Sequence, residues 1–417
     1  MRMKNGFLVF SGFLGSGKTS MMITLSKELE ARGLPAATIS NDLGARGFVD
    51  TYYSKACGCD ATELSGACIC YQTENLVDRL RRVLESEGHA VAMSDIPGFG
   101  VGALEHVYHK LNERYPNEFT LLPFTAVTDL RCVRQLQTGT GEYPEELLYI
   151  FHRQLDEAEV ILLNKSDLMD DAERDDALSF LREGWKDAAV FAVSAKTGAG
   201  VADFADYILA HTSRLLHPDL AYGGSDFCAA MGKMAQYGRQ FYVEVCCNTF
   251  DGNAYLRDLA EAIRKNICAA GGHTPHLKLF AMGPDGSYGK LSAVGSSGGL
   301  TLDHALDAPA TALPVVINTS AVCPSAALSR AMDEAIAETA QQYQLAVTTY
   351  MTECFDAAGP GRLLFIGLQE RAVGNTFAAW IGVHGINHVF FCTLRRLRLC
   401  ALRKRLFGTL QNGIADG

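Results

Sequence analysis

The sequence predicts an α/β fold, a mainly parallel sheet with helices on both faces followed by a smaller α+β domain. Three observations support this. Short apolar runs alternate with helix-period segments over the first 216 residues, the pattern of βαβ units. A glycine-rich turn at 12–19 joins the first run to the first helix. After residue 238 the order becomes β, α, β, β, β, α, which suits helices on one face of an antiparallel sheet.

Residues 7–10 read as a buried strand bounded by Gly6 and Gly12. Met21, Met22, Leu25 and Leu29 recur at helical spacing over 18–32, and Gly33 is a stop signal. Further strands are expected at 35–40, 90–94, 120–128 (interrupted by Pro123), 160–163 and 189–193, with helices at 74–87, 102–114, 144–157, 171–184 and 200–215. Residues 217–238 contain Pro218, Gly223, Gly224, Gly232 and Gly238 with weak periodicity, and read as a linker. Strands are expected next at 240–246, 276–282, 288–295 and 313–318, the middle two as a hairpin around Asp285-Gly286. Helices are expected at 253–268 and 325–340. The predicted domains are 1–216, a linker at 217–238, a C-terminal α+β domain at 239–360, and an atypical tail at 361–417.

At 417 residues the chain is longer than a single core usually reaches, about 250–300. Apolar residues make up 48% and charged residues 20%, which excludes a mainly disordered or fibrous protein. A net charge of -10 argues against a nucleic-acid partner. Residues 361–417 differ: they hold eight Lys and Arg against two Asp and Glu. Within them 372–394 carry no formal charge, but Asn375, His384, Asn387, His388 and three glycines interrupt the run, so no membrane span is expected. Thirteen cysteines without an export signal point to reduced thiols in the cytoplasm and to metal or redox chemistry more than disulfides.

Gly12-Phe-Leu-Gly15-Ser16-Gly17-Lys18-Thr19 matches G-x-x-x-x-G-K-[ST], between a strand and a helix. This predicts a P-loop nucleoside-triphosphatase architecture. Backbone N–H groups of Gly12, Gly15, Ser16 and Gly17 would turn toward phosphates, with Ser20 also on the first helical turn. Lys18 would reach the β- and γ-phosphates as a catalytic cation, and the Thr19 hydroxyl would ligate Mg²⁺. Asp95-Ile96-Pro97-Gly98 follows a strand. Asp95 is the second expected catalytic and Mg²⁺-holding residue, and the Gly98 N–H a γ-phosphate sensor. Phe99 follows, so no side chain is offered there to orient water, and slow intrinsic hydrolysis is expected.

Asn164-Lys165-Ser166-Asp167 follows the strand at 160–163. A carboxylate can accept both the N1–H and the exocyclic amine of guanine, a pair that adenine lacks. Asp167 is placed for that role, Lys165 for the base face and Asn164 for tying the loop, with Ser194-Ala195-Lys196 closing over the base. Asn41 and Asp42 lie in the expected switch region. Beyond them Cys57, Cys59, Cys68 and Cys70 place four thiols in 14 residues, a spacing that suits Zn²⁺ or another soft or borderline metal. Cys68 and Cys70 are the firmer pair, with Cys57 and Cys59 as further candidates.

These motifs resemble the CobW-type members of the SIMIBI-class metallochaperone GTPases, the group that includes HypB and UreG, over about residues 1–216. The family's Asn-Glu-Phe-Gly switch motif is matched by Asn41-Asp42-Leu43-Gly44. Its C-x-C-C motif after Glu-Leu-Ser is matched by Glu63-Leu64-Ser65-Gly66-Ala67-Cys68-Ile69-Cys70-Tyr71, and its Glu-x-x-Gly motif by Asp95–Gly98. Tyr71 replaces the last cysteine, Gly66-Ala67 the usual Asn-Gly, and Asp95 the glutamate. The resemblance implies a GTP-driven metallochaperone or metal-cofactor maturation factor. Its nucleotide is GTP or GDP with Mg²⁺, its cargo Zn²⁺ or Co²⁺, and its partner a client metalloprotein or corrinoid protein. A nucleotide-linked homodimer is an expectation from the same resemblance. The alternative is a regulatory GTP switch that docks a partner and carries no metal.

Overall fold

The computed structural model of the chain describes residues 5–44, 48–216, 225–246, 248–295 and 298–357. The basic tail at 361–417 and the first part of the expected linker, 217–224, lie outside the described residues.

The first half contains β1 (Gly6–Ser11), α1 (Lys18–Ala31), β2 (Ala36–Asn41), α2 (Val49–Ala56), β3 (Asp60–Leu64), α3 (Thr73–Arg81), β4 (Val91–Asp95), α4 (Lys110–Arg114), β5 (Thr120–Leu121), β6 (Thr125–Thr128), α5 (Leu130–Thr138), α6 (Glu146–Asp156), β7 (Val160–Leu163), α7 (Asp171–Gly184), β8 (Ala189–Ala192) and α8 (Val201–Ala210). Its strands run parallel in the order β3-β2-β4-β1-β6-β7-β8, with β5 also paired to β1. Parallel strands buried on both faces read as continuous apolar runs. Accordingly Phe7, Leu8, Val9 and Phe10 of β1 are all fully buried. Phe7 and Val9 pack toward α3 and Tyr108, while Leu8 and Phe10 pack toward α1 and α8.

The second half contains α9 (Ser225–Gly232), β9 (Met234–Glu244), α10 (Gly252–Ala269), β10 (His273–Met282), β11 (Tyr288–Val294), β12 (Leu300–His304), β13 (Ala312–Val322), α11 (Ser325–Gln342) and β14 (Ala346–Asp356). Its sheet is antiparallel, in the order β12-β11-β10-β13-β9-β14. Helices α10 and α11 cover one face, and Leu256, Leu259, Ile263, Leu328 and Met332 meet Leu277, Leu279, Val315 and Ile317 there.

Several details differ from the sequence reading. Pro123 splits the expected strand at 120–128 into β5 and β6, because proline cannot donate to a ladder. The latter part of the expected linker folds as α9 and the start of β9. The turn of α9 packs Ala230 and Met231 against the aromatic cluster of Phe13, Tyr143 and Phe151. The helix expected at 200–215 ends at Ala210. Elements α2, β3, α5, β12 and β14 lie outside the sequence reading; β14 is an edge strand with no buried side chain. Among the described residues no helix is long and apolar enough to cross a membrane.

Candidate functional site

In a parallel sheet the loops after the strands gather at one edge, where ligands bind. The turn from β1 to α1 takes positive φ at Gly12, Gly15 and Gly17. A Cβ on Gly12 would lie 2.1 Å from the Val127 carbonyl oxygen, and one on Gly17 would lie 2.3 Å from Asn164 Nδ2, so both positions require glycine. Lys18 Nζ donates to the Gly12 carbonyl at 2.6 Å and the Phe13 carbonyl at 3.5 Å. Burial lowers the Lys18 ammonium to about 8, a loss that phosphate charge would reverse. Ser16 Oγ is buried without a hydrogen-bond partner.

Asp95 ends β4 next to this loop, and its Oδ1 accepts the Asn41 N–H at 2.9 Å. Burial and then the neighbouring Asp50 push the Asp95 carboxyl up to about 7. Asp42 is likewise raised by burial. Gly98 presses on the phosphate loop: a Cβ there would lie 2.9 Å from the Leu14 nitrogen. Gln154 Nε2 holds the loop by donating to the Gly98 and Gly100 carbonyls at 3.1 and 3.0 Å.

A residue outside the sequence reading joins them. Asp50, in the first turn of α2, lies beside the Thr19 hydroxyl, which helps lower its carboxyl, and pairs with Lys278 of β10 at 2.5 Å. Burial works against its charge, but Lys278 holds the Asp50 carboxyl below the usual range. An oxygen-only set of Thr19, Asp50 and Asp95, beside an unpartnered serine hydroxyl, has the chemistry a hard divalent cation such as Mg²⁺ takes.

The loop after β7 lies beside the same turn. Asn164 Nδ2 donates to the Ser16 carbonyl at 2.8 Å, and its Oδ1 accepts the Ala195 N–H at 3.0 Å, tying three loops together. Lys165, at φ 63°, reaches the Gly15 carbonyl at 2.6 Å and Asp129 at 2.7 Å. Asp129 also caps α5 and pairs with Arg131; Lys165 and Arg131 outweigh burial and hold its carboxyl well below the usual range. Asp167 accepts the Ser194 hydroxyl at 2.6 Å, and Lys196 is exposed nearby in sequence. Asp129 carried a readable sign, an acid directly between a strand and a helix; Asp50 and Lys278 carried none beyond their charge.

Asn41 connects this site to the thiols. Its Nδ2 donates to the Leu64 and Ala67 carbonyls, both at 2.9 Å, and its Oδ1 accepts the Ile69 N–H at 2.9 Å. Cys68 and Cys70 flank Ile69, with sulfurs 2.9 Å apart and both side chains buried. The Cys68 hydrogen bond and then burial push the Cys70 thiol well up, so a metal bound there must displace its proton.

The structure does not bring Cys57 and Cys59 to that pair. They precede β3 while Cys68 and Cys70 follow it, and the four thiols form no cluster among the described residues. Cys57 instead faces the Tyr288 hydroxyl at 3.8 Å. At the same far edge Asp60, Glu87 and His89 cluster. There Asp60 is engaged by His89 at 3.0 Å and Glu87 by Arg82 at 3.0 Å, a surface network apart from the site.

No curated protein matches the chain. Among solved structures it is similar to HypB from Helicobacter pylori in complex with nickel (15% identity, TM-score 0.35, covering 50% of this chain and 87% of that one). It is similar to the Zn(II)-bound YjiA GTPase from E. coli (14%, TM-score 0.34, 81% and 99%). It is also similar to a LAO/AO transport system kinase (16%, TM-score 0.32, 50% and 60%). Residues 7–191 match the model of the CobW/HypB/UreG nucleotide-binding domain.

Proposed function

We propose that the protein binds and hydrolyses GTP and uses the cycle to hold and release a transition-metal cargo, Zn²⁺ or Co²⁺, for a client metalloprotein or corrinoid protein of the cytoplasm. The observation that carries this reading is the path Asp95–Asn41–Ile69. One residue joins the acid beside the phosphate loop, through its backbone N–H, to the cysteine turn, through its side chain.

Gly15, Ser16, Gly17, Lys18, Thr19 and Ser20 would hold the phosphates, with Lys18 leaving its loop carbonyls for the bridging charge. Thr19 and Asp95, with Asp50 beside them, would hold Mg²⁺, which when bound neutralises charge developing on the transferred phosphoryl group. Asp167 would accept the guanine edge, kept in place by Ser194 and by the Asn164–Ala195 bond. Phe99 is buried and apolar, so this position gives attacking water nothing to bond, consistent with slow turnover. Any shift of Asp95 and Asn41 between nucleotide states would loosen the turn that holds Cys68 and Cys70.

The alternative, a GTP switch without metal, draws support from the burial of both thiols and from Tyr71, 54% exposed where the resemblance would place a third cysteine. Titration with Co²⁺ and Zn²⁺, with and without GTP, decides between them. Thiolate-to-metal absorption that depends on nucleotide and disappears in Cys68→Ser/Cys70→Ser supports cargo. No uptake with normal GTP turnover leaves the switch.

A further inference from the structure

The antiparallel sheet sends a cation to the phosphate side. β10 alternates: Leu277 and Leu279 face the helix-covered core, while His276, Lys278 and Phe280 lie on the other side, toward α2. Phe280 stacks on Tyr52 of α2 at 5.9 Å. Lys278 Nζ lies 2.7 and 2.5 Å from the two Asp50 oxygens. Its cross-strand partner on β13, Asn318, accepts the Val49 N–H at 2.7 Å. Val294, the β11 partner of His276, sits over the phosphate loop: a Cβ on Gly15 would lie 2.4 Å from its side chain.

Lys278 is thus one carboxylate away from the Thr19 hydroxyl and electrostatically coupled to Lys18, Asp42 and Asp95. Of these, Lys18, Thr19 and Asp95 meet the phosphates and Mg²⁺ in the reading above. A γ-phosphate brought there would set fresh negative charge against Asp50, and a cation between the two relieves the repulsion. GDP brings no such charge.

We propose that Lys278 is a γ-phosphate ligand supplied by the C-terminal sheet, bridging Asp50 and the terminal phosphate of GTP, so that this sheet distinguishes GTP from GDP. The inference rests on the guanine-nucleotide reading. A charge-assisted hydrogen bond present only with GTP leaves a mark that a purely structural clamp does not: an effect on one nucleotide and not the other.

The test measures affinities of the full chain for fluorescent GDP and a fluorescent non-hydrolysable GTP analogue in magnesium buffer. Lys278→Met is expected to weaken the GTP analogue roughly 10- to 100-fold and GDP less than about 3-fold. Lys278→Arg, which keeps the charge, should restore most of the difference, and it remains informative where the methionine variant folds poorly. Asn318→Ala loosens the same contact with α2 without touching charge, and should leave the GTP-to-GDP ratio unchanged. Equal weakening of both nucleotides by Lys278→Met, no weakening, or an Asn318→Ala shift as large as that of Lys278→Met overturns the proposal. Failure of the wild-type chain to bind either nucleotide overturns the guanine reading itself, a result distinguishable from all of these.

Discussion

At the residue scale two positions carry sharp expectations. Asp167 has one oxygen bonded to Ser194, and in the proposed reading its carboxylate accepts the guanine edge. Asp167→Asn should weaken GTP by at least ~100-fold and favour xanthosine triphosphate in competition, since the swap exchanges an acceptor for a donor; unchanged GTP affinity removes the base assignment. Gly12 sits at φ 133° with no room for a methyl group. Gly12→Ala should cost roughly 1–3 kcal/mol from backbone conformation alone, and more from the Val127 clash. A thermal midpoint equal to wild type would show that the turn is not held as described. Both residues were legible in the sequence, because their chemistry is local: a turn that needs glycine and a four-residue loop after an apolar strand. Asp50 and Lys278 were not. Their pairing spans 228 positions, and neither residue sits in a motif whose spacing announces it.

At the element scale the cysteine turn depends on a side chain from another strand. Asn41→Ala would leave the buried Ile69 N–H without its acceptor and the Leu64 and Ala67 carbonyls short of a donor. The expected destabilisation is about 1–3 kcal/mol. The more specific consequence is faster reaction of Cys68 and Cys70 with an aromatic disulfide reagent under native conditions. Unchanged thiol reactivity would break the proposed link from nucleotide to cargo. The parallel sheet was largely readable because its strands are continuous apolar runs. β3 was not, since Asp60–Leu64 is half polar and lies at the sheet edge. β12 and β14, the two edges of the other sheet, were hidden for the same reason: strands with little burial lose the contrast that periodicity detects.

For the whole molecule, stability should depend on pH through a buried acid that belongs to no predicted motif. Glu157 is fully buried at the end of α6, and its two oxygens accept the Gly102 and Leu104 N–H groups at 3.3 and 3.1 Å. Burial outweighs those donors and raises its carboxyl from 4.5 to about 8. The folded chain therefore keeps a proton that the unfolded chain releases. Its stabilising contribution is full below about pH 4.5 and falls as pH rises toward 8. Asp95, raised to about 7, acts in the same direction. Denaturation midpoints should decline across this window, and Glu157→Gln should flatten the decline while retaining the part due to Asp95. An identical slope in the variant would place the titration elsewhere.

The alternation along β10 has an evolutionary corollary. Inserting a single amino acid just ahead of Leu277 would turn the strand over, burying an ammonium among hydrocarbon side chains and offering leucine to Asp50. Lineages descended from this chain can therefore add a single residue there only where a bulge absorbs it, as the ladder already does between His273 and His276. The exposed hairpin tip around Asp285 and Gly286 remains free to drift in length.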